Sequence, residues 1–201
     1  MKTVEPIRDM KLIKAMRTYL KGQSTRNELL FIFGINVGLR ISDILKLKFE
    51  DLVYPDFKIK DSCLITEKKT SKSNRFYIGP IIKKVLETYI KEVKPESLDE
   101  YIFKSRKGGN KPITRQHAWY ILNNAGEAVG LVKKDENGNI VEGELGTHSL
   151  RKTFGYHAYN KGVSLELLMQ IFNHSSKRET LRYIGITEEE KKEVYLMSNL
   201  G

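Results

Sequence analysis

Apolar residues recur at Met10, Ile13, Met16 and Leu20, close to the period of a helix face, so a helix is predicted over Arg8 to Leu20, with Gly22 ending it. Residues 1–7 read as an extended lead-in. Thr25 followed by Glu28 has the form of a capping box, and the apolar run behind it predicts a buried helix through Val37. Gly38 breaks that helix, and a short second one begins near Ser42. The pattern then changes. Cys63 to Thr66 and Arg75 to Ile78 read as two strands, joined by the polar segment Glu67 to Asn74 (EKKTSKSN) as an exposed hairpin.

Helical patterning returns at Pro80, which suits a first helical turn, and runs to about Val93. Tyr101 to Phe103 fits a short strand, and Thr114 a cap for a helix through Val129 in which Trp119 and Tyr120 read as core. Asp135 to Asn139 (DENGN), between Val132 and Ile140, predicts a second hairpin turn. Further helices follow over Ser149 to Tyr159, from Ser164 to Phe172, from the Ser176/Glu179 capping box through Tyr183, and over Glu188 to Met197. The whole is one mostly α domain with a small antiparallel β-sheet, an α+β arrangement.

Composition narrows the choice of partner. The 201 residues are 40% hydrophobic and 30% charged, an ordinary globular profile. The formal net charge of +10, from 35 Lys and Arg against 25 Asp and Glu, favours a polyanion, nucleic acid before an anionic membrane surface. The single cysteine, Cys63, allows no internal disulfide, and the four histidines lack the short spacing of a structural zinc site. Residues 1–11 contain no apolar signal core, and no apolar run approaches the roughly 20 residues that span a bilayer. A reducing, intracellular setting fits.

Four segments carry candidate chemistry: Gly38-Leu39-Arg40-Ile41-Ser42-Asp43; Lys68-Lys69-Thr70; His148-Ser149-Leu150-Arg151; and Asn173-His174-Ser175 with Leu181-Arg182-Tyr183. Breaking a phosphodiester without a metal gathers negative charge on the non-bridging oxygens. Arginine meets two such oxygens with a planar fork that stays charged, so two arginines and a histidine can replace a divalent cation. A tyrosine hydroxyl, with an ordinary pKa of about 10, attacks only with help from a base or a cationic setting. The leaving 5′ oxygen needs a proton, which a lysine can supply.

In this order and spacing the segments resemble the catalytic domain of the tyrosine recombinases, the family of phage integrases and chromosome-dimer resolvases, from about residue 25 to residue 190. Arg40 matches the family's first arginine, His148 and Arg151 its His-x-Leu-Arg box, His174 its second histidine and Tyr183 its nucleophile. Lys69 matches the hairpin lysine, with Lys68 its close rival, and Asp43 matches an acidic position that supports the arginines. The steps of 32 residues from Arg151 to Tyr183 and 9 from His174 to Tyr183 agree with the family pattern. Two departures stand out. Phe172-Asn173-His174 replaces the usual Leu-Gly-His, and the stretch from Arg40 to His148 is longer, the extra residues falling around Asn137-Gly138.

The resemblance implies the integrase catalytic-domain fold over 25–201, behind a lead-in and first helix at 1–24; the separate core-binding domain that typical members carry ahead of it is absent here, the chain being either a fragment or a short member that acts without it. It implies transesterification on double-stranded DNA through a 3′-phosphotyrosyl link to Tyr183, with no cofactor, metal or small-molecule substrate. Four protomers would act in pairs, the segment from Glu188 to Leu200 docking onto a neighbour. The setting would be the bacterial cytoplasm and nucleoid, the source a bacterium, a phage or another mobile genetic element. Two alternatives share the residue set or the fold: a nicking-closing enzyme such as a type IB topoisomerase or telomere resolvase, and a non-catalytic DNA-binding regulator. His117 and His157 fall outside the motif and read as structural or exposed, and Cys63 as a small apolar strand residue.

Overall fold

In the computed structural model, which describes residues 4–68, 71–146, 148–186, 192 and 195–197, one serine divides the first two helices. The first, α1 (Met10–Gln23), starts at Asp9, whose carboxylate accepts from the Lys11 N–H at 2.7 Å, and it runs past Gly22 to Ser24. Ser24 is extended and its hydroxyl accepts from the Asn27 N–H at 3.2 Å. It, and not Thr25, therefore caps α2 (Thr25–Val37). Glu28 does not reach back to close a capping box; it is buried and paired with Arg17 at 2.8 Å.

Two short helices, α3 (Ile41–Ile44) and α4 (Phe49–Leu52), follow, the second unannounced by the sequence pattern. Strands β1 (Ser62–Thr66) and β2 (Ser73–Tyr77) pair antiparallel, Ser62 opposite Tyr77 and Thr66 opposite Ser73. α5 (Pro80–Val93) has the predicted bounds and buries Ile82, Val85, Leu86 and Tyr89 along one face. The expected strand at Tyr101 to Phe103 does not form. Ile102 and Phe103 are consecutive and both fully buried, which the alternating faces of a strand cannot provide, and only isolated bridges flank them, at Lys48–Tyr101 and Lys104–Pro112.

α6 (Arg115–Ala128) is capped by Thr114, as its sequence indicates. Within it Trp119 is half-buried and donates to Glu144 at 3.2 Å, whereas Tyr120 lies on the surface and not in the core. The second hairpin joins β3 (Lys133–Lys134) to β4 (Ile140–Glu142). Its turn is held by Asp135 Oδ1, which accepts from the Asn137 and Asn139 N–H groups at 2.9 and 2.8 Å. The chain then forms α7 (Ser149–Asn160), α8 (Leu165–Phe172) and α9 (Lys177–Ile184), the last two capped by Ser164 and Ser176. The described residues are thus mostly helical with two small antiparallel sheets. Among them no helix is long and apolar enough to cross a membrane. The predicted helix at Glu188 to Met197 falls largely outside the described residues.

Most of the core gathers on α2, where Leu29 to Phe33 are all buried and Phe33 meets the edges of Phe76 and Phe103 at 5.6 and 6.4 Å. A smaller apolar cluster, Leu168, Phe172 and Ile184, joins α7, α8 and α9. The contact that matters most for the site is α2 against α7. A Cβ on Gly34 would fall 2.3 Å from Leu150 Cδ1 and 2.9 Å from Leu150 Cβ, and one on Gly38 would fall 2.7 Å from the Phe154 ring. Two glycines one turn apart thus receive two large side chains one turn apart. Arg40 follows Gly38 and Arg151 follows Leu150, so the same close approach brings the two arginines together.

The lead-in fastens this helix layer from outside. The Ile7 N–H donates to Thr153 Oγ1 and the Ile7 carbonyl meets His157 Nε2, each at 2.9 Å, which gives His157 the structural part expected of it. Arg8 donates to the carbonyl of Gly185, at the end of α9, at 2.7 Å.

Gly34→Ala should crowd Leu150 and lower stability by about 1–3 kcal/mol. Urea unfolding would show this as an earlier midpoint with an unchanged slope; an unchanged midpoint would refute the close contact.

Candidate active site

Each side chain of the proposed set is delivered by the end or first turn of an element. Arg40 is the N-cap of α3, set by the left-handed Gly38 (φ 64°) that closes α2. His148 is the N-cap of α7, and Arg151 lies in its first turn. His174 follows α8, and Tyr183 sits in the last turn of α9.

These residues converge. Arg40 Nη1 lies 2.6 Å from Glu67 Oε2, and Arg151 Nη1 lies 3.9 Å from Glu67 Oε1, so one carboxylate touches both arginines. Arg151 is only 2% exposed. Its Nη2 donates to the Phe172 carbonyl at 2.9 Å and its guanidinium stands 4.8 Å from the centroid of the Phe172 ring. Its Nη1 has no hydrogen-bond partner among the described residues. A buried donor left unpaired costs about 1–3 kcal/mol, and an arriving anion removes that cost.

The phenol closes the other side. Tyr183 Oη lies 3.2 Å from His148 Nδ1, and the two rings meet edge to face. The His174 ring stands 4.9 Å from that of Tyr183, and its Nδ1 is 3.1 Å from Thr180 Oγ1. Burial raises the Tyr183 phenol above its ordinary pKa, against the opposing pull of Arg151 and Arg40. Burial holds the His174 imidazole below its ordinary value; Glu179 opposes this, and the two arginines add to it. Arg151 is itself lowered, by burial first.

The departure at Phe172-Asn173-His174 has a geometric reason. Asn173 closes α8 in the left-handed region (φ 53°), where glycine is the usual residue and asparagine the best-tolerated substitute. The turn is therefore kept, and Asn173 Nδ2 donates to Glu67 Oε2 at 3.3 Å.

The hairpin lysines divide. Lys69 and Thr70 lie outside the described residues. Lys68 is exposed, and its N–H donates to Asp43 Oδ1 at 3.2 Å. Asp43 is buried beside the arginines, with Oδ2 unpaired among the described residues, and its charge opposes the lowering of Arg151. Among the described residues no three His, Cys, Asp or Glu side chains are grouped to hold a metal ion.

Three residues of the site were not read from the sequence. Glu67, assigned to an exposed hairpin, is fully buried at the end of β1. Its two arginine partners come from distant segments, so no local pattern marks it. Phe172, treated only as part of a variant turn, seats Arg151. Lys152 is buried with its ammonium 5.4 Å from the centroid of the Tyr183 ring, and burial lowers its pKa, with Glu5 opposing.

Comparison with known proteins points the same way. The sequence profile of the phage integrase family matches residues 8–190. The chain is 41% identical over 195 residues to a protein of Bacillus subtilis (strain 168) named probable integrase/recombinase YoeC, covering 97% of each. It is 29% identical over 171 residues to tyrosine recombinase XerC of Staphylococcus epidermidis, covering 84% of this chain and 51% of that protein. Among solved structures, the XerA recombinase superposes with a TM-score of 0.74 at 17% identity, over 100% of this chain and 68% of that one. The XerH recombinase, in a post-cleavage complex with its difH substrate, gives 0.70 at 18% identity, over 96% and 52%.

Because burial keeps His174 below the ordinary histidine value of about 6.5, the unfolded chain binds the proton more readily. The stabilisation from the neutral imidazole is complete above that pH and is lost as pH falls from it towards the folded-state value. Thermal unfolding across this range should show stability decreasing with acid, with a flatter profile in His174→Gln. Identical profiles would contradict the assignment.

Proposed function

The chain belongs to the phage integrase family, and on that premise we propose that it cuts and rejoins double-stranded DNA as a site-specific tyrosine recombinase. The observation that carries this reading is the cationic hollow formed by Arg40 and Arg151, with the Tyr183 phenol and two imidazoles on its rim.

In this reading the non-bridging oxygens of the scissile phosphate meet the arginine pair and His174. Tyr183 Oη attacks phosphorus and forms the 3′-phosphotyrosyl bond, while the phosphorus–O5′ bond breaks. The phenol proton passes to His148, which stands 3.2 Å away. The 5′ oxygen leaves with a proton from Lys69, the hairpin lysine, with Lys68 the alternative donor. A 5′ hydroxyl of the partner duplex then reverses the steps, so the phosphoester bond is exchanged and no nucleotide energy source is needed. The basic excess of the chain supplies phosphate contacts along the duplex. Strand exchange between two duplexes requires cooperating protomers, and a tetramer docked through the segment from Glu188 to Leu200 meets that need.

The target sequence can be found and the reaction tested together. A pool of nicked duplexes with randomised sequence around the nick is incubated with the full chain in the presence of EDTA, then denatured. Wild type should retain DNA covalently, and sequencing of that DNA should yield a preferred site. Tyr183→Phe should retain none, and Arg40→Ala should slow adduct formation by about 100–1,000-fold. Equal adduct from Tyr183→Phe and wild type would remove Tyr183 from its role.

A further inference from the structure

Glu67 is an anion placed where an anion is about to bind. Its carboxylate is fully buried and lies between the two guanidinium groups, 2.6 Å from Arg40 and 3.9 Å from Arg151. Two amides address it as well: Asn74 Nδ2 donates to Oε1 at 2.8 Å and Asn173 Nδ2 to Oε2 at 3.3 Å. Its backbone belongs to the lysine-bearing turn, with its N–H donating to the Lys72 carbonyl and its carbonyl accepting from the Ser71 N–H. The partners of this one side chain thus come from the start of α3, the start of β2, α7 and the close of α8. A carboxylate buried in a phosphate site works against phosphate binding by charge alone, so its placement needs a compensating gain. Geometry supplies one: it fixes the direction of both guanidinium groups and ties the hairpin that carries Lys68 and Lys69 to them.

We infer that Glu67 is a positioning residue for the strand-cleavage reaction proposed above, joining the lysine-bearing hairpin to the arginine pair. It touches neither phosphate nor leaving group and acts through Arg40 and Arg151. Glutamine has the same size but only one accepting oxygen, so Glu67→Gln sets an NH2 against either the Asn74 amide or the Arg40 and Asn173 donors.

The experiment uses the full chain and the duplex recovered from the randomised pool, with the scissile phosphate made either as the ordinary diester or as a methylphosphonate. The methylphosphonate carries no charge and makes less demand on the arginine pair. Single-turnover cleavage and half-saturating DNA concentration are measured on both substrates. Glu67→Gln should slow diester cleavage about 100-fold with half-saturation unchanged, because small misplacement of a clamping group costs that much. On the methylphosphonate the same variant should lose no more than about tenfold, since less charge develops for the clamp to meet. If Glu67→Gln does not fold, Asn74→Ala removes the 2.8 Å donor alone and should show the same pattern at smaller scale. Diester cleavage at the wild-type rate, or equal slowing on both substrates, overturns the inference while wild-type cleavage leaves the recombinase reading standing. Failure of wild type to cleave removes that reading and the inference with it.

Discussion

Two guanidinium groups drawn out of water towards one carboxylate repel each other, and the repulsion grows as water is excluded from between them. Arg40 and Arg151 are held in that condition, and much of the surrounding structure offsets it. Glu67 stands between them, the Phe172 carbonyl and ring take up one side of Arg151, and the buried Asp43 adds a second negative charge. The clamp exists only because α2 and α7 approach closely enough to force the arginines together, which Gly34 and Gly38 permit. Packing, in this site, is the cause of the electrostatics: larger residues at those two glycines would separate the charges before any charged residue was altered.

Much of this was legible in the chain because it is written locally. Ser164 and Ser176 announce their helices, and Pro80 announces the first turn of α5. The residues proposed for the chemistry could be placed together because their spacing along the sequence is fixed by the elements that carry them, so that His148 and Arg151 share one helical start. Errors fell where tertiary contacts override local signals. Ser24 displaced Thr25 as a cap because it serves as the end of one helix and the start of the next. Tyr101 to Phe103 had the β-prone composition of a strand, but two consecutive residues turn into the core.

Glu67 shows the same limit more sharply. In sequence it opens a polar run that looks like a solvated turn, and its neighbour Lys68 is indeed exposed. Only the assembled fold brings Arg40, Arg151, Asn74 and Asn173 to it. Asn173 is the instructive partner, because the position usually held by glycine needs a left-handed backbone and asparagine meets that need while adding an amide. A substitution that looks like a departure in sequence therefore preserves the turn and contributes a donor to the same carboxylate.

The phenol raises a final question of timing. Burial favours the neutral form of Tyr183, and the two arginines only partly oppose it. In the proposed reaction, a phosphate arriving at those arginines would bring negative charge of its own and draw their positive field onto itself, so binding would not by itself ionise the phenol. The proton must then leave as the bond to phosphorus forms, which requires an acceptor already in place. His148, 3.2 Å from the hydroxyl, meets that requirement without motion of either helix. In the proposed reaction, such an arrangement would keep the Tyr183 phenol neutral in the empty site and couple its activation to attack, the behaviour wanted of a group whose covalent product would be a broken DNA strand.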